Sequence, residues 1–333
     1  MDPASRIPQH VLVTGGAGFV GSHLVERLLA DGKSVVVVDD LSTGRLENLQ
    51  AVRAHPKLRV IESRISSCPE LGQLVAQAES IYHLAAAVGV ELVVRFPIHV
   101  LETNLHETEV LFKAAAAQGV PVLLTSTSEV YGKSQKEAFG EEDDLLIGPP
   151  HQVRWGYACS KLMDEFLALA YAKEQALPVI ITRLFNTVGP RQTGQYGMVL
   201  PRFIAAARSG QPLKVYGDGL QTRCFCYVRD TVESLVRLQG CAAARGQVFN
   251  VGSTEEISMR DLARRVIDTL GAKSAIELVP YSQAYEPGFD DMRRRKPVVD
   301  KLEATVGFRP RTTLQAIIEL TAAAAMRGQA ASE

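Results

Sequence analysis

The sequence lacks the cysteine pattern of a disulfide-stabilised or zinc-binding protein. Its five cysteines, at positions 68, 159, 224, 226 and 241, are odd in number and include no CxxC pair. Such spacing argues against a disulfide framework and against a zinc site, so we expect no bound metal. Free thiols are typical of reducing compartments, and we expect a cytoplasmic protein.

The chain also lacks long apolar runs and any excess of charge of one sign. Its longest apolar stretches, such as 34–38, are too short to cross a bilayer, and no basic segment followed by an apolar one opens the chain. With 36 basic and 37 acidic residues the formal net charge is -1, so no global field attracts nucleic acid. We expect neither a membrane nor a nucleic-acid partner.

What the chain does have is an alternation of short β-branched runs and longer helical stretches. Near-continuous apolar strands are typical of a parallel sheet that is covered on both faces. The pattern therefore predicts an α/β protein with a doubly wound parallel sheet. The predicted strands of the first half are 10–14, 34–39, 58–61, 80–84 and 121–125.

The pattern loosens after about residue 185, where loops are expected at 191–197, 217–219 and 286–288. Runs 225–228 and 247–251 read as strands that return to the main sheet. With 333 residues the chain exceeds one ordinary core, which predicts two lobes. We expect a dinucleotide-binding domain at 10–185 with 225–255, and a smaller, discontinuous α/β substrate lobe at 186–224 with 256–333.

Three glycines lie between the first strand and the first helix. Gly15, Gly18 and Gly21 give a GxxGxxG spacing, which suits a tight turn, an approach to a pyrophosphate and close helix packing, respectively. The helix then begins with Phe19 and Val20, whose backbone N–H groups would face the phosphates. The motif in this context predicts a Rossmann dinucleotide site.

An acidic pair, Asp39 and Asp40, follows the second strand at the distance expected for a ribose diol contact. A carboxylate there would repel the 2′-phosphate of NADP. Arg45 lies nearby and could bind such a phosphate, but the carboxylate is closer to the expected ribose. The sequence therefore favours NAD.

Tyr157 and Lys161 are four residues apart, hence on one face of the helix that we predict at 156–175. A nearby ammonium favours the phenolate, which would let the tyrosine act as a base near neutral pH. Thr127, at the carboxyl end of the preceding strand, opens onto the same crevice.

Several blocks together make the chain resemble the extended short-chain dehydrogenase/reductases, specifically the nucleotide-sugar epimerases and dehydratases. The likeness runs from about residue 10 to residue 312, and its blocks are 14–21, 83–86, 126–132, 157–161, 189–191 and 216–223. The resemblance implies that Tyr157 removes the sugar O4 proton while hydride passes from C4 to NAD. It also implies that Lys161 holds the nicotinamide ribose and that Thr127 bonds the same sugar oxygen. It adds Ile65, Leu84, Ala85 and Ala86 as cofactor contacts.

Within that group, the triplet Thr127-Ser128-Glu129 resembles the UDP-glucuronate decarboxylases. Oxidation at C4 of a glucuronate gives a β-keto acid, which loses carbon dioxide to form UDP-xylose or its 4-keto precursor. Thr127 and Tyr157 would stabilise the enolate, and Glu129 with Arg223 would lie near C5 and the carboxylate. A UDP-hexose or UDP-hexuronate 4-epimerase is the alternative, and a sugar-nucleotide dehydratase is the third.

The resemblance also supplies the nucleoside diphosphate end of a UDP-sugar substrate. Arginine suits a diphosphate because its planar guanidinium donates two parallel hydrogen bonds. Arg223 is equally a candidate for this role. The expected contacts are Asn186, Arg191, Val199, Tyr216, Arg223 and Arg295.

Three positions depart from the family pattern. Arg64 replaces the usual adenine-binding Asp, and Arg202 stands where xylose synthases tend to have Asn. Glu91 lies where decarboxylases place polar contacts to the carboxylate, and its negative charge would favour the epimerase alternative. Helices 101–118 and 156–175 resemble those of a four-helix dimer interface, so we expect a homodimer.

Overall fold

The computed structural model describes residues 9–194, 198–280, 283 and 292–330. The predicted loop 286–288, the last residues of the loop 191–197 and the side chain of Glu91 lie outside the described part. Among the described residues, no helix is both long and apolar enough to cross a membrane.

The elements alternate between strand and helix through the first half of the chain. The strands are β1 (His10–Thr14), β2 (Val35–Asp39), β3 (Leu58–Glu62), β4 (Ala78–His83), β5 (Val122–Thr127), β6 (Val179–Leu184), β7 (Thr187–Val188), β8 (Leu213–Tyr216), β9 (Thr222–Cys224), β10 (Cys226–Tyr227), β11 (Gln247–Val251), β12 (Glu256–Ser258) and β13 (Ile276–Val279). The helices are α1 (Phe19–Ala30), α2 (Leu71–Gln77), α3 (Val90–Arg95), α4 (Pro97–Gln118), α5 (Arg154–Gln175), α6 (Val199–Arg208), α7 (Val228–Gln239), α8 (Met259–Leu270), α9 (Asp300–Val306) and α10 (Leu314–Ala330).

Seven strands form one parallel sheet in the order β3-β2-β1-β4-β5-β6-β11, which confirms the predicted doubly wound fold. The strand order reverses between β1 and β4. At such a switch point the crossover helices leave on opposite faces, so a crevice opens beyond the carboxyl ends of the strands. The sheet therefore places its ligand site after β1 and β4.

Alternate residues of the central strands supply two hydrophobic layers. Val11 and Val13 of β1 belong to the cluster packed by α1, α7 and α9, while Leu12 belongs to the cluster packed by α2, α4 and α5. All three side chains are at most 2% exposed. Burial on both faces explains why these strands are apolar throughout rather than alternating.

A further cluster joins α6, α8 and α10 with β8 and residues around β10. Its largest fully buried side chain is Phe203 of α6, and the same cluster includes Leu262 of α8 and Ile317 of α10. We propose that this cluster is the core of the smaller lobe, which then also takes in Phe225 to Val228, beyond the boundary predicted at residue 224.

The run 225–228 does not return to the main sheet as expected. Cys226–Tyr227 instead pairs in parallel with Thr187–Val188 in a separate two-stranded sheet, and Val228 already begins α7. Cys224 pairs with Glu256 in another small sheet, so the chain changes partner at Phe225. This split leaves the position beside β6 free for β11, which joins the main sheet as predicted.

Candidate active site

The glycine-rich turn after β1 is shaped by contacts that leave no room for a side chain. Gly15 has φ +72°, and a Cβ atom there would lie 2.7 Å from the backbone nitrogen of Ala85. At Gly21 a Cβ atom would overlap the carbonyl oxygen of Gly15. The turn therefore draws the start of α1 and the end of β4 close together around the crevice.

The first turn of α1 faces the crevice with its backbone donors. Gly18 is the N-cap residue, and in the described part of the chain no side chain caps this helix start. Phe19, Val20 and Gly21 follow it along the cavity wall. Helix N-termini carry uncompensated N–H groups and partial positive charge, so this one fits a pyrophosphate.

Asp39 ends β2 beside the glycine turn. Its two carboxylate oxygens accept hydrogen bonds from the backbone nitrogens of Ala17 (2.8 Å) and Leu41 (2.9 Å), and burial raises its pKa. Asp40 forms an ion pair with Arg64 at 3.5 Å. This contact gives a structural role to the arginine that replaces the usual adenine-binding Asp. A fixed carboxylate with remaining lone pairs suits a ribose diol and disfavours a phosphate.

One cavity of about 510 Å³ contains the whole predicted site. The predicted residues that line it are Gly15, Gly18, Phe19, Val20, Gly21, Asp39, Asp40, Ile65, Leu84, Ala85, Ala86, Thr127, Ser128, Glu129, Tyr157, Lys161, Asn186, Arg191, Val199, Tyr216, Arg223 and Arg295. Their individual roles stay predictions. Among the described residues no group of His, Cys, Asp or Glu side chains could hold a metal ion.

The turn after β5 is held rigidly beneath the cavity. Tyr131, at the end of a short 3-10 helix, donates a hydrogen bond to Asn250 (2.8 Å) and accepts one from Arg183 (3.0 Å). Arg183 in turn pairs with the buried Glu165 of α5 at 2.8 Å. The ring of Tyr131 stacks on Phe139. These contacts fix the backbone that carries Thr127 and Glu129.

Thr127 and Tyr157 meet at the centre of the cavity. The Thr127 hydroxyl accepts a hydrogen bond from the backbone nitrogen of Glu129 (3.2 Å), and it lies close enough to the phenol of Tyr157 to lower the pKa of that phenol. Tyr157 is 9% exposed, and its burial, together with the charges of Glu129 and Asp164, raises the pKa of the phenol, while Arg295 opposes this.

From the sequence we expected the ammonium of Lys161 to act strongly on the charge of the Tyr157 phenol. The main influences on the pKa of this phenol are instead burial and the charges of Glu129 and Asp164. Lys161 donates instead to the carboxylate of Asp164 at 2.8 Å, on the next turn of α5. An ion pair has little net charge, so it stabilises a phenolate less than a lone ammonium does.

The arginines of the predicted substrate end have distinct surroundings. Arg295 forms an ion pair with Glu129 at 3.3 Å and also donates a hydrogen bond to Asn186. It therefore lies beside the turn after β5 that carries Thr127 and Glu129, which we call the catalytic turn. Arg191 pairs with Glu26 of α1, and Arg223 donates to the backbone oxygen of Thr222 at 2.8 Å.

Two contacts of residues that line the cavity were missed from the sequence. The guanidinium of Arg202 stacks over the ring of Tyr216 at 4.6 Å, which accounts for a position that had no explanation. Asp164 was also missed, although its spacing of three residues from Lys161 places the two on one helix face. That spacing was the available signal.

Comparison with known proteins agrees with this geometry. Residues 11–252 match the family model described as the NAD dependent epimerase/dehydratase family. The chain belongs to this family. NAD is accordingly its cofactor, and the glycine turn, the uncapped start of α1 and Asp39 fit it. The family assignment confirms the resemblance that the sequence motifs indicated.

Three members of the family illustrate its range. The chain is 40% identical to a UDP-N-acetyl-alpha-D-glucosaminuronate decarboxylase of Bacillus cytotoxicus, over 90% of this chain and 92% of that protein. It is 36% identical to UDP-glucuronic acid decarboxylase 2 of Arabidopsis thaliana, over 92% of this chain and 65% of that protein. The fold also superposes with a TM-score of 0.86 on a mutant UDP-glucuronic acid 4-epimerase of Bacillus cereus, in complex with UDP-4-deoxy-4-fluoro-glucuronic acid and NAD; the two are 26% identical, over 95% of this chain and 99% of that one.

Substitution of Gly21 by Ala tests the dinucleotide crevice. The added methyl group displaces the backbone of Gly15, so we expect NAD to bind at least about tenfold more weakly, a loss of about 1.4 kcal/mol. Isothermal titration with NAD measures the change. Gly72→Ala is the matched control, because an added Cβ at Gly72 of α2 meets nothing within 4 Å. Equal NAD affinity in Gly21→Ala and wild type would contradict the assignment.

Proposed function

We propose that the protein is an NAD-dependent decarboxylase of a UDP-hexuronate, with UDP-glucuronate as the first candidate substrate. The observation that carries this proposal is the charged pair of Glu129 and Arg295, whose charges both act on the phenol of Tyr157. A 4-epimerase only has to rotate the 4-keto sugar so that its other face meets the nicotinamide. This rotation needs no charged pair beside C5. The decarboxylases among the similar proteins support the same reading.

The reaction requires a base at O4 and a stabilised enolate. NAD, when bound, accepts hydride from C4 of the sugar and can return it later. Tyr157 takes the O4 proton, and the resulting ketone makes the C6 carboxylate a β-keto acid. Thr127 and Tyr157 then hold the oxygen on which negative charge develops as carbon dioxide leaves, which is where fixed donors lower the barrier most.

The charged residues around C5 act on the carboxylate and on the proton that replaces it. Arg295 supplies a cation for the substrate carboxylate, and Glu129 partly neutralises that cation. The carboxylate is therefore not bound so strongly before the reaction that its loss becomes harder. Ser128 is 1% exposed, and its hydroxyl has no hydrogen-bond partner among the described residues. Ser128 lines the cavity, whereas its hydroxyl is buried. We propose that Glu129, which is an anion in this pair, orients the solvent water that supplies the proton to C5.

A UDP-hexuronate 4-epimerase is the second candidate. It is favoured by the structural likeness to the UDP-glucuronic acid 4-epimerase, whose substrate also carries a carboxylate. The two functions share the oxidation at C4 and differ in whether the carboxyl group is lost.

Mass spectrometry of products separates these functions. With NAD and UDP-glucuronate, or its 2-acetamido counterpart, we expect carbon dioxide and a UDP-pentose or its 4-keto form. Tyr157→Phe should reduce turnover by about a hundredfold or more, since it removes the base. Tyr171→Phe, on the same helix but packed against Phe112, is the control and should remain active. A product of unchanged mass would establish the epimerase instead.

We also propose a homodimer formed through α4 and α5, which pack against each other. Met163 and Phe166 of α5 are 53% and 61% exposed, and Ile98 of α4 is 70% exposed. Large apolar side chains that are this exposed on paired helices are typical of an interface.

The solution mass tests the dimer. Wild type should elute at twice the chain mass of 36.2 kDa, and Phe166→Asp should shift the protein to the monomer, because it buries a charge in the interface. Leu220→Asp changes a side chain that is 63% exposed elsewhere and should leave the dimer intact. A monomeric wild type would refute the proposal.

We propose that the protein is cytoplasmic, because its cysteines form no disulfide bonds. All five are free, and burial raises the pKa of Cys224 and of Cys226 to about 12. Buried, protonated thiols act as small apolar side chains. The fold therefore needs no disulfide bond and no oxidising compartment in which to form one.

A further inference from the structure

The ion pair between Lys161 and Asp164 is the most deeply buried charged contact of the cavity wall. The ammonium lies 2.8 Å from Oδ2 of Asp164, and the two side chains are 3% and 0% exposed. The family resemblance gives Lys161 a part in holding the nicotinamide ribose, but no part has been given to Asp164. A carboxylate that is removed from water at such cost calls for a physical explanation.

Polar side chains from three elements lie around this ion pair. Burial raises the pKa of Asp164, while Lys161 and the nearby Thr108 of α4 lower it. The hydroxyl of Thr108 is hydrogen-bonded to Nε2 of His83 at 3.0 Å, and Nδ1 of His83 is hydrogen-bonded to the hydroxyl of Thr14 at 2.7 Å. Burial and the charge of Lys161 lower the pKa of His83 to about 3, so its ring is neutral. The second carboxylate oxygen of Asp164, Oδ1, is buried and has no hydrogen-bond partner among the described residues, so Lys161 is the partner that satisfies this carboxylate.

The charge of Lys161 depends on this partner. A buried ammonium without a counter-ion readily loses its proton, because desolvation disfavours the charged form. The neighbouring side chains offer no substitute: His83 is neutral, and Glu165 is held by Arg183 at 2.8 Å. Glu129 of the catalytic turn is held by Arg295, and both act on Tyr157.

We propose that Asp164 is a positioning residue of the active site: its buried carboxylate keeps Lys161 charged and fixes its ammonium on the α4 side of the cavity. The carboxylate thereby sets the net charge beside Tyr157, and hence the pH range in which that phenol exchanges its proton. The kinetic part of this inference rests on the proposed function, whereas the part about Lys161 does not.

Asp164→Asn tests the kinetic part. The amide oxygen can still accept from Lys161, but the negative charge is gone. Tyr157 then lies near an unbalanced ammonium at low pH, and that ammonium loses its proton sooner as the pH rises. Both limbs of the profile of kcat against pH should therefore move to lower pH by about one unit or more.

The pH dependence of unfolding tests the same inference without any substrate. In Asp164→Asn the ammonium of Lys161 is buried without a counter-ion in the folded state, while in the unfolded state it is solvated. The unfolded chain therefore keeps this proton to higher pH than the folded chain, so the stability of the variant rises with pH until the unfolded chain also loses it, at about pH 10. Its deficit against wild type, measured by chemical denaturation, should be largest near neutral pH and should shrink towards about pH 10. In a Lys161→Met background the same substitution should cost no stability.

Glu165→Gln is the matched control, since Glu165 is the adjacent buried carboxylate of α5 and its partner is Arg183. This variant should lose stability and lower kcat, because Glu165 supports the turn after β5, but it should not move the pH of either limb of the kinetic profile. A wild-type kinetic profile in Asp164→Asn, equal shifts in both variants, or a deficit independent of pH would each overturn the proposal. If UDP-hexuronates are not substrates, the unfolding measurements still decide the part about Lys161.

Discussion

The site depends on one feature of the sheet: the strand order reverses between β1 and β4. At this point the crossover helices lie on opposite faces of the sheet, which opens a crevice between them. Because all strands of the main sheet are parallel, their carboxyl ends meet at one edge, and the turns after β1, β2, β4 and β5 open onto one cavity. Close backbone contacts at Gly15 and Gly21 keep this cavity narrow at the dinucleotide end. The chemistry of the site follows from which side chains these turns carry.

Charge balance is the second constraint on this cavity. Two cations near the reacting centre have an anionic partner: Lys161 has Asp164, and Arg295 has Glu129. Paired charges let a buried site hold cations near a substrate carboxylate without the full cost of isolated ions. They also leave the phenol of Tyr157 sensitive to small changes of charge, since burial already raises its pKa.

The sequence predicted the sheet and the cavity residues well, because both depend on local patterns. Apolar strands such as β2 and the glycine spacing around Gly18 are read directly from neighbouring residues. The fate of residues 225–228 could not be read in this way, since two short strands with different partners look like one apolar run. The partner of Lys161 was also missed, because the spacing of Asp164 indicates a contact but not its burial. Both depend on packing between distant segments.

The central claim is that Tyr157 removes a sugar proton while C4 is oxidised next to the nicotinamide. Stopped-flow absorbance of the NAD-loaded enzyme, mixed with the UDP-hexuronate that it turns over, tests this claim most directly. We predict that reduced nicotinamide appears before product and that deuterium at C4 slows its appearance. Product formation with no reduced nicotinamide and no isotope effect at C4 would contradict the claim.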